Sequence, residues 1–208
     1  MNLKHHYYYF KQVLPKKFCD ELIQYGNQKR EDLGTIGDYD INNITKKQIK
    51  DLKKKRDSNV CFLSDPWIHK EILPFIHEAN KRAGWNFQID SNEAFQFTKY
   101  KLNQFYDWHC DSFLEPFKQH EMPWLVGKVR KLSVTVSLSD EKDYEGGELE
   151  FDFRNMDPDK KPNIKKCTEI LPKGSLVVFP SFVWHRVKPV TKGTRYSLVI
   201  WHCGLPFV

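Results

Sequence analysis

Residues 132–138 read Leu-Ser-Val-Thr-Val-Ser-Leu, an unbroken alternation of aliphatic and hydroxyl side chains. A period of two puts every second side chain on one face of an extended chain, so this stretch predicts a strand with one apolar and one polar face. Similar short runs surround it: Phe95 to Tyr100, Leu149-Glu-Phe151, Ser175 to Phe179 and Arg195 to Trp201. Glu145-Gly146-Gly147, Lys173-Gly174 and Lys192-Gly193 separate them as turns. Upstream the period changes. Phe18, Leu22 and Tyr25 recur at helical spacing after Leu14-Pro15, with Pro15 tolerated in the first turn. Asp65-Pro66 opens a second helix whose apolar face is Trp67, Ile68, Ile72, Ile76 and Ala79. Residues 31–57, polar and rich in Gly, Asp, Asn and Lys, read as one long mobile loop that could act as a lid. Many short strands after a helical preface predict a mainly β fold, a double-stranded β-helix (jelly roll) with helices packed on one sheet. No repeat or linker divides the chain, so residues 1–208 are expected to form one domain, with 1–86 as helical preface and 87–208 as the jelly-roll core.

At 208 residues and 14% aromatic, the chain can bury a core without staples. Its five cysteines, Cys19, Cys61, Cys110, Cys167 and Cys203, are scattered and form no CxxC pair. That spacing argues against a disulfide framework or zinc ribbon and for reduced thiols. The start, MNLKHHYYYF, lacks the apolar region of a signal peptide. No apolar run nears the about 18 residues of a membrane span, so a cytoplasmic protein without a membrane partner is expected. Of the net charge of +6, much sits in Lys46 to Arg56, KKQIKDLKKKR. As a nucleic-acid patch this is a weak reading, because no aromatic residue interrupts the run to stack on a base.

His109-Cys110-Asp111 carries the chemistry. On a strand, residues two apart share a face, so an imidazole and a carboxylate would converge on one point inside the barrel. His185, in Phe182-Val-Trp-His-Arg-Val187, is the best third ligand, sharing a face with Val183 and Val187. Two histidines and one carboxylate leave open positions on a metal, as in the facial triad of iron(II) oxygenases. Arg195 follows His185 by ten residues and heads a strand whose Arg195, Ser197, Val199 and Trp201 would point inward. A guanidinium inside a barrel is costly unless it meets an anion, and a carboxylate matches its fork. His5, His6, His69, His77, His120 and His202 have no carboxylate at ligand spacing and read as structural or surface residues.

Three segments, FQFTKYKLNQFYDWHCD (95–111), RKLSVTVSLSDEKDYEGGELEF (130–151) and KGSLVVFPSFVWHRVKPVTKGTRYSLVIWHCG (173–204), together resemble the prolyl 4-hydroxylase-like branch of the Fe(II)/2-oxoglutarate oxygenases. Within that branch they are similar to the PKHD-type hydroxylases of bacteria and their viruses. The resemblance implies Fe(II) on His109, Asp111 and His185, and the distal carboxylate of 2-oxoglutarate on Arg195. It gives Tyr100 a hydrogen bond to the cosubstrate and makes Trp201 a cofactor-side residue. It places Arg56, in Arg56-Asp-Ser58, on the substrate side, with Arg130 grouped beside it. It further implies O2 as oxidant and ascorbate as a reductant. Asn103 stands where the family often has Gly, and Val136 is expected where some relatives carry a cosubstrate-contacting tyrosine.

The reaction so implied is hydroxylation of a substrate C–H bond, peptidyl proline first, with 2-oxoglutarate converted to succinate and CO2. A peptide or protein partner follows from it. Rival readings are the same chemistry on a nucleic acid, free amino acid or metabolite, a zinc hydrolase on the same ligands, and a non-catalytic jelly-roll binding module. The residues themselves do not read out a substrate.

Overall fold

Leu132, Val134, Val136 and Leu138 are fully buried against helices, in one cluster with Leu22, Ile68, Ile72 and Ile76. Ser133, Thr135 and Ser137, the other half of the alternation, are buried on the opposite face. The molecule, a computed structural model, is described for residues 3–36, 44–113, 115–154, 157 and 159–207. In chain order the elements begin β1 (Tyr8–Phe10), α1 (Lys16–Asn27), β2 (Asp32–Leu33), α2 (Lys46–Leu52), β3 (Arg56–Asp57), β4 (Asn59–Leu63) and α3 (Pro66–Arg82). They continue β5 (Ser91–Asn92), β6 (Phe95–Tyr100), β7 (Phe105–His109), β8 (Val129–Ser137), β9 (Tyr144–Gly146) and β10 (Leu149–Asp152). The last are β11 (Ile164–Lys166), β12 (Leu176–Pro180), β13 (Trp184–Val187), β14 (Val190–Gly193) and β15 (Arg195–Gly204).

The larger sheet has the order β1-β12-β8-β15-β6-β4-β2, with β5 also on β15. The smaller is β11-β10-β13-β7-β3, and β14 pairs β9 separately. The ladders of both sheets are antiparallel, so the architecture is the expected jelly roll with helices on one sheet. The apolar faces of α1 and α3 meet β8, β12, β15 and β6 in a single core. Each of the aliphatic side chains buried there contributes roughly 1.5–3 kcal/mol. That layer clamps the larger sheet from outside and leaves its polar face for the space between the sheets.

Four expectations change. Residues 31–57 are not one loop, because they hold β2, α2 and β3. Thr45 and Gln48 form a capping box that starts α2, and buried Leu52 anchors it, which propensity for loops alone does not show. Residues 37–43 of the expected lid lie outside the described residues. Pro15 is the N-cap of α1 rather than a first-turn residue. Val136 faces the helices, so the inward-facing positions on β8 are Thr135 and Ser137, as the two-residue period requires. Trp67 is 38% exposed while Ile68, Ile72, Ile76 and Ala79 are fully buried, which puts it at the edge of its helical face.

Candidate active site

β7 and β13 are neighbours in the smaller sheet, and their register sets His109 directly opposite His185. The two ring centroids are 4.1 Å apart. His109 Nδ1 lies 2.7 Å from the Asp107 carbonyl and His185 Nδ1 3.0 Å from that of Val183. A carbonyl only accepts, so each Nδ1 carries the proton and each Nε2 presents its lone pair. Asp111 reaches the same point by a different route from the one expected. β7 ends at His109, and the chain bends, with Asp111 N–H donating to Ser181 O at 2.8 Å. The carboxylate is held by Ser133 Oγ, which donates to Oδ2 at 2.7 Å. Its oxygens lie 3.7 Å from His109 Nε2 and 3.6 Å from His185 Nε2. Among the described residues these three form the one His/Cys/Asp/Glu group with ligand atoms all within 4.8 Å of one another.

Burial, with His185 alongside, pushes His109 down to about 3, so its imidazole is neutral at ordinary pH. Burial acts to raise Asp111, but the facing imidazoles, Arg130 and the Ser133 hydrogen bond outweigh it and hold the carboxyl at about 2. An ionised carboxylate and an imidazole lone pair converging in a buried pocket form a donor set for a divalent cation. The backbone carbonyls on Nδ1 are the outer contacts that fix such rings.

The cavity beside these donors is lined by β15, β6 and β8, through Arg195, Ser197, Trp201, Tyr100, Gln96 and Thr135. Arg195 is 4% exposed, and Ser197 Oγ accepts from its Nη1 at 3.2 Å. No carboxylate among the described residues lies within 4.0 Å of it. Its guanidinium carbon sits 5.5 Å from the centre of the Tyr100 ring, which faces it across the β6–β15 ladder. Burial raises the Tyr100 phenol, so it stays protonated and can donate. Gly147, in a left-handed turn at φ +62°, leaves the space that Arg195 crosses: a Cβ there would be 2.9 Å from Arg195 Cδ.

A family model described as the 2OG-Fe(II) oxygenase superfamily matches residues 95–203, more than half of the chain. The chain belongs to that superfamily. It is 38% identical over 97 residues to a PKHD-type hydroxylase of Synechococcus sp. (strain CC9902), covering 46% of this chain and 35% of the relative. It is 36% identical over 105 residues to the PKHD-type hydroxylase YbiX of Escherichia coli O157:H7, covering 50% of this chain and 40% of that one. The matches thus span well under half the length of these relatives. In fold it is similar to the viral collagen prolyl hydroxylase of Paramecium Bursaria Chlorella virus-1, solved with 2OG (TM-score 0.64, 19% identity, 97% and 98% of the two chains). It is also similar to a Pseudomonas putida prolyl-4-hydroxylase (TM-score 0.67, 17% identity, 96% and 93%).

In this oxygenase-superfamily chain the two residues grouped on the substrate side part company. Arg56 is buried over the Tyr106 ring at 4.6 Å, with Nε on Ser58 Oγ, Nη1 on Thr35 O and no partner for Nη2 among the described residues. Tyr106 in turn stacks on His109 at 3.5 Å. Arg130 instead donates from Nε and Nη2 to both oxygens of Glu93, at 2.5 and 2.6 Å, and lies 4.0 Å from the centre of the Trp201 ring. Tyr106, Glu93, Ser133, Thr135 and Gly147 were not singled out from sequence. Ser133 and Thr135 were legible as the polar half of the alternation, whereas nothing local in the sequence marks Glu93 or Tyr106. His202 points away from the cavity and packs 6.0 Å from His77 in the helix layer, consistent with a structural role. All five cysteines are free. Among the described residues no helix is long and apolar enough to cross a membrane.

Proposed function

We propose that the protein is an Fe(II)- and 2-oxoglutarate-dependent dioxygenase that hydroxylates a C–H bond, with peptidyl proline as the substrate class to test first. The observation that carries this is Arg195: a buried guanidinium with no carboxylate within 4.0 Å among the described residues, on the wall of the cavity that also holds three converging metal-type donors. A dicarboxylate satisfies both ends of such a site at once. His109, Asp111 and His185 would hold the metal, and Arg195 with Ser197 would take the far carboxylate. Tyr100 would donate its phenol proton to a cosubstrate oxygen, while Thr135 would present a hydroxyl from the same cavity wall. Leu149 and Val187 line the cavity with apolar surface that would help keep water from the reacting groups.

Iron with the bound keto acid supplies oxygen activation: 2-oxoglutarate and O2 yield succinate and CO2, and the second oxygen atom enters the substrate C–H bond. The protein's part is positioning and charge compensation. Family membership supports the cofactors, and likeness to PKHD-type and prolyl hydroxylases supports peptidyl proline. Arg56, whose Nη2 has no partner among the described residues and whose guanidinium lies over Tyr106, would be the group to meet a substrate oxygen.

Anaerobic addition of 2-oxoglutarate to the Fe(II)-loaded protein should produce a metal-to-ligand charge-transfer band. Admission of O2 should then release succinate. A protein that shows neither is not this enzyme. With turnover established, proline-containing peptides, free proline and nucleic acids can be screened for a mass gain of one oxygen.

A further inference from the structure

Trp201 faces the cavity from β15, and its Nε1–H is buried with no acceptor among the described residues. A buried donor without a partner costs on the order of 1–3 kcal/mol, so this one points to something that enters the cavity. Its register says which end it serves. Trp201 pairs with Ser133, whose hydroxyl holds Asp111, whereas Arg195 pairs with Tyr100 at the other end of the same inward face. The indole therefore stands at the triad end and the guanidinium at the far end.

The indole is held from behind. The Arg130 guanidinium carbon is 4.0 Å from the Trp201 ring centre and 5.0 Å from that of Phe113. Both oxygens of Glu93 accept from Arg130, and the two side chains are only 15% and 11% exposed. A planar cation tied at two nitrogens cannot swing, so it fixes the plane of the ring packed on it. Because Glu93 neutralises it, Arg130 needs no ligand of its own, unlike Arg195.

We propose that the Glu93–Arg130 pair is a positioning device that holds Trp201 with Nε1–H aimed at a 2-oxoglutarate oxygen at the triad end of the cavity. Arg130 thus acts through Trp201 rather than by touching substrate. The identity of the acceptor rests on the cosubstrate reading above, but the clamp does not.

The test labels the protein with 5-fluorotryptophan and assigns the Trp201 signal with Trp201→Phe. The double variant Glu93→Gln/Arg130→Met removes the clamp without leaving a buried charge, and the five other tryptophans report whether the fold is intact. The clamp predicts a shifted or broadened Trp201 fluorine line in the double variant with the other five unmoved. Anaerobic 2-oxoglutarate titration should give about tenfold weaker binding for both Trp201→Phe and the double variant, and no further loss when they are combined. An unchanged Trp201 line, or a full additional loss in the Trp201→Phe background, would overturn the proposal. If the wild-type protein bound no 2-oxoglutarate, the cosubstrate reading and the named acceptor would fall, while the fluorine signal would still decide the clamp.

Discussion

Two arginines enter the barrel from neighbouring strands of one sheet and meet opposite ends. Arg130, on β8, is neutralised by Glu93 and stacked on Trp201. Arg195, on β15, has a serine hydroxyl and a tyrosine face but no carboxylate among the described residues. Removing a guanidinium from water costs several kcal/mol, and the fold meets that cost internally in one case only. The contrast separates scaffold from binding site. A compensated buried charge belongs to the structure, and an uncompensated one waits for a ligand.

The sharpest way to break the comparison is at the metal donors, which both arginines flank. His109→Ala and Asp111→Ala should lower succinate formation by about a thousandfold or more and abolish the charge-transfer band. Near-wild-type turnover in either would remove the site. Next comes Arg195→Met, expected to weaken 2-oxoglutarate binding by about a hundredfold while leaving thermal stability equal or higher, since it deletes an unpaired buried charge. Arg130→Met should do the reverse in stability, stranding Glu93 and costing about 3–5 kcal/mol in denaturant unfolding. Equal stability effects for the two would erase the distinction. Gly147→Ala is a smaller probe. A methyl 2.9 Å from Arg195 Cδ, at positive φ, should raise the 2-oxoglutarate KM about tenfold with little change in metal affinity.

The smallest effect tests burial on the sheet's other face. Burial, with His77 and His69 nearby, lowers His202 to about 4. The unfolded chain binds that proton below about 6.5, so stability from neutral His202 is complete above that pH and is lost as pH falls toward 4. Chemical denaturation of wild type and His202→Gln across pH 4–7 should show a flatter profile in the variant.

Much of this was readable in the residues. Alternation in 132–138 announced both the strand and its two faces, and the inward set Arg195, Ser197, Val199 and Trp201 followed from the same period. His109, Asp111 and His185 are legible as candidate donors without the fold, because donor chemistry resides in residue type. The reading failed where local pattern is not decisive. Asp111 lies past the end of β7 and is placed by Ser181 and Ser133, so it reaches the two imidazoles by a route that the two-residue strand rule does not describe. Val136 was put on the wrong face for want of an inward register reference, and a lysine-rich stretch hid a helix held by one capping box and one leucine. By itself the sequence determined which donor and charged residue types are available to the site, and the order of the strands along the chain. Only the tertiary structure decided which buried charge is compensated, because Glu93 and Arg130 lie 37 residues apart and meet through β5 pairing with β15. Local periodicity carries no information about such a contact.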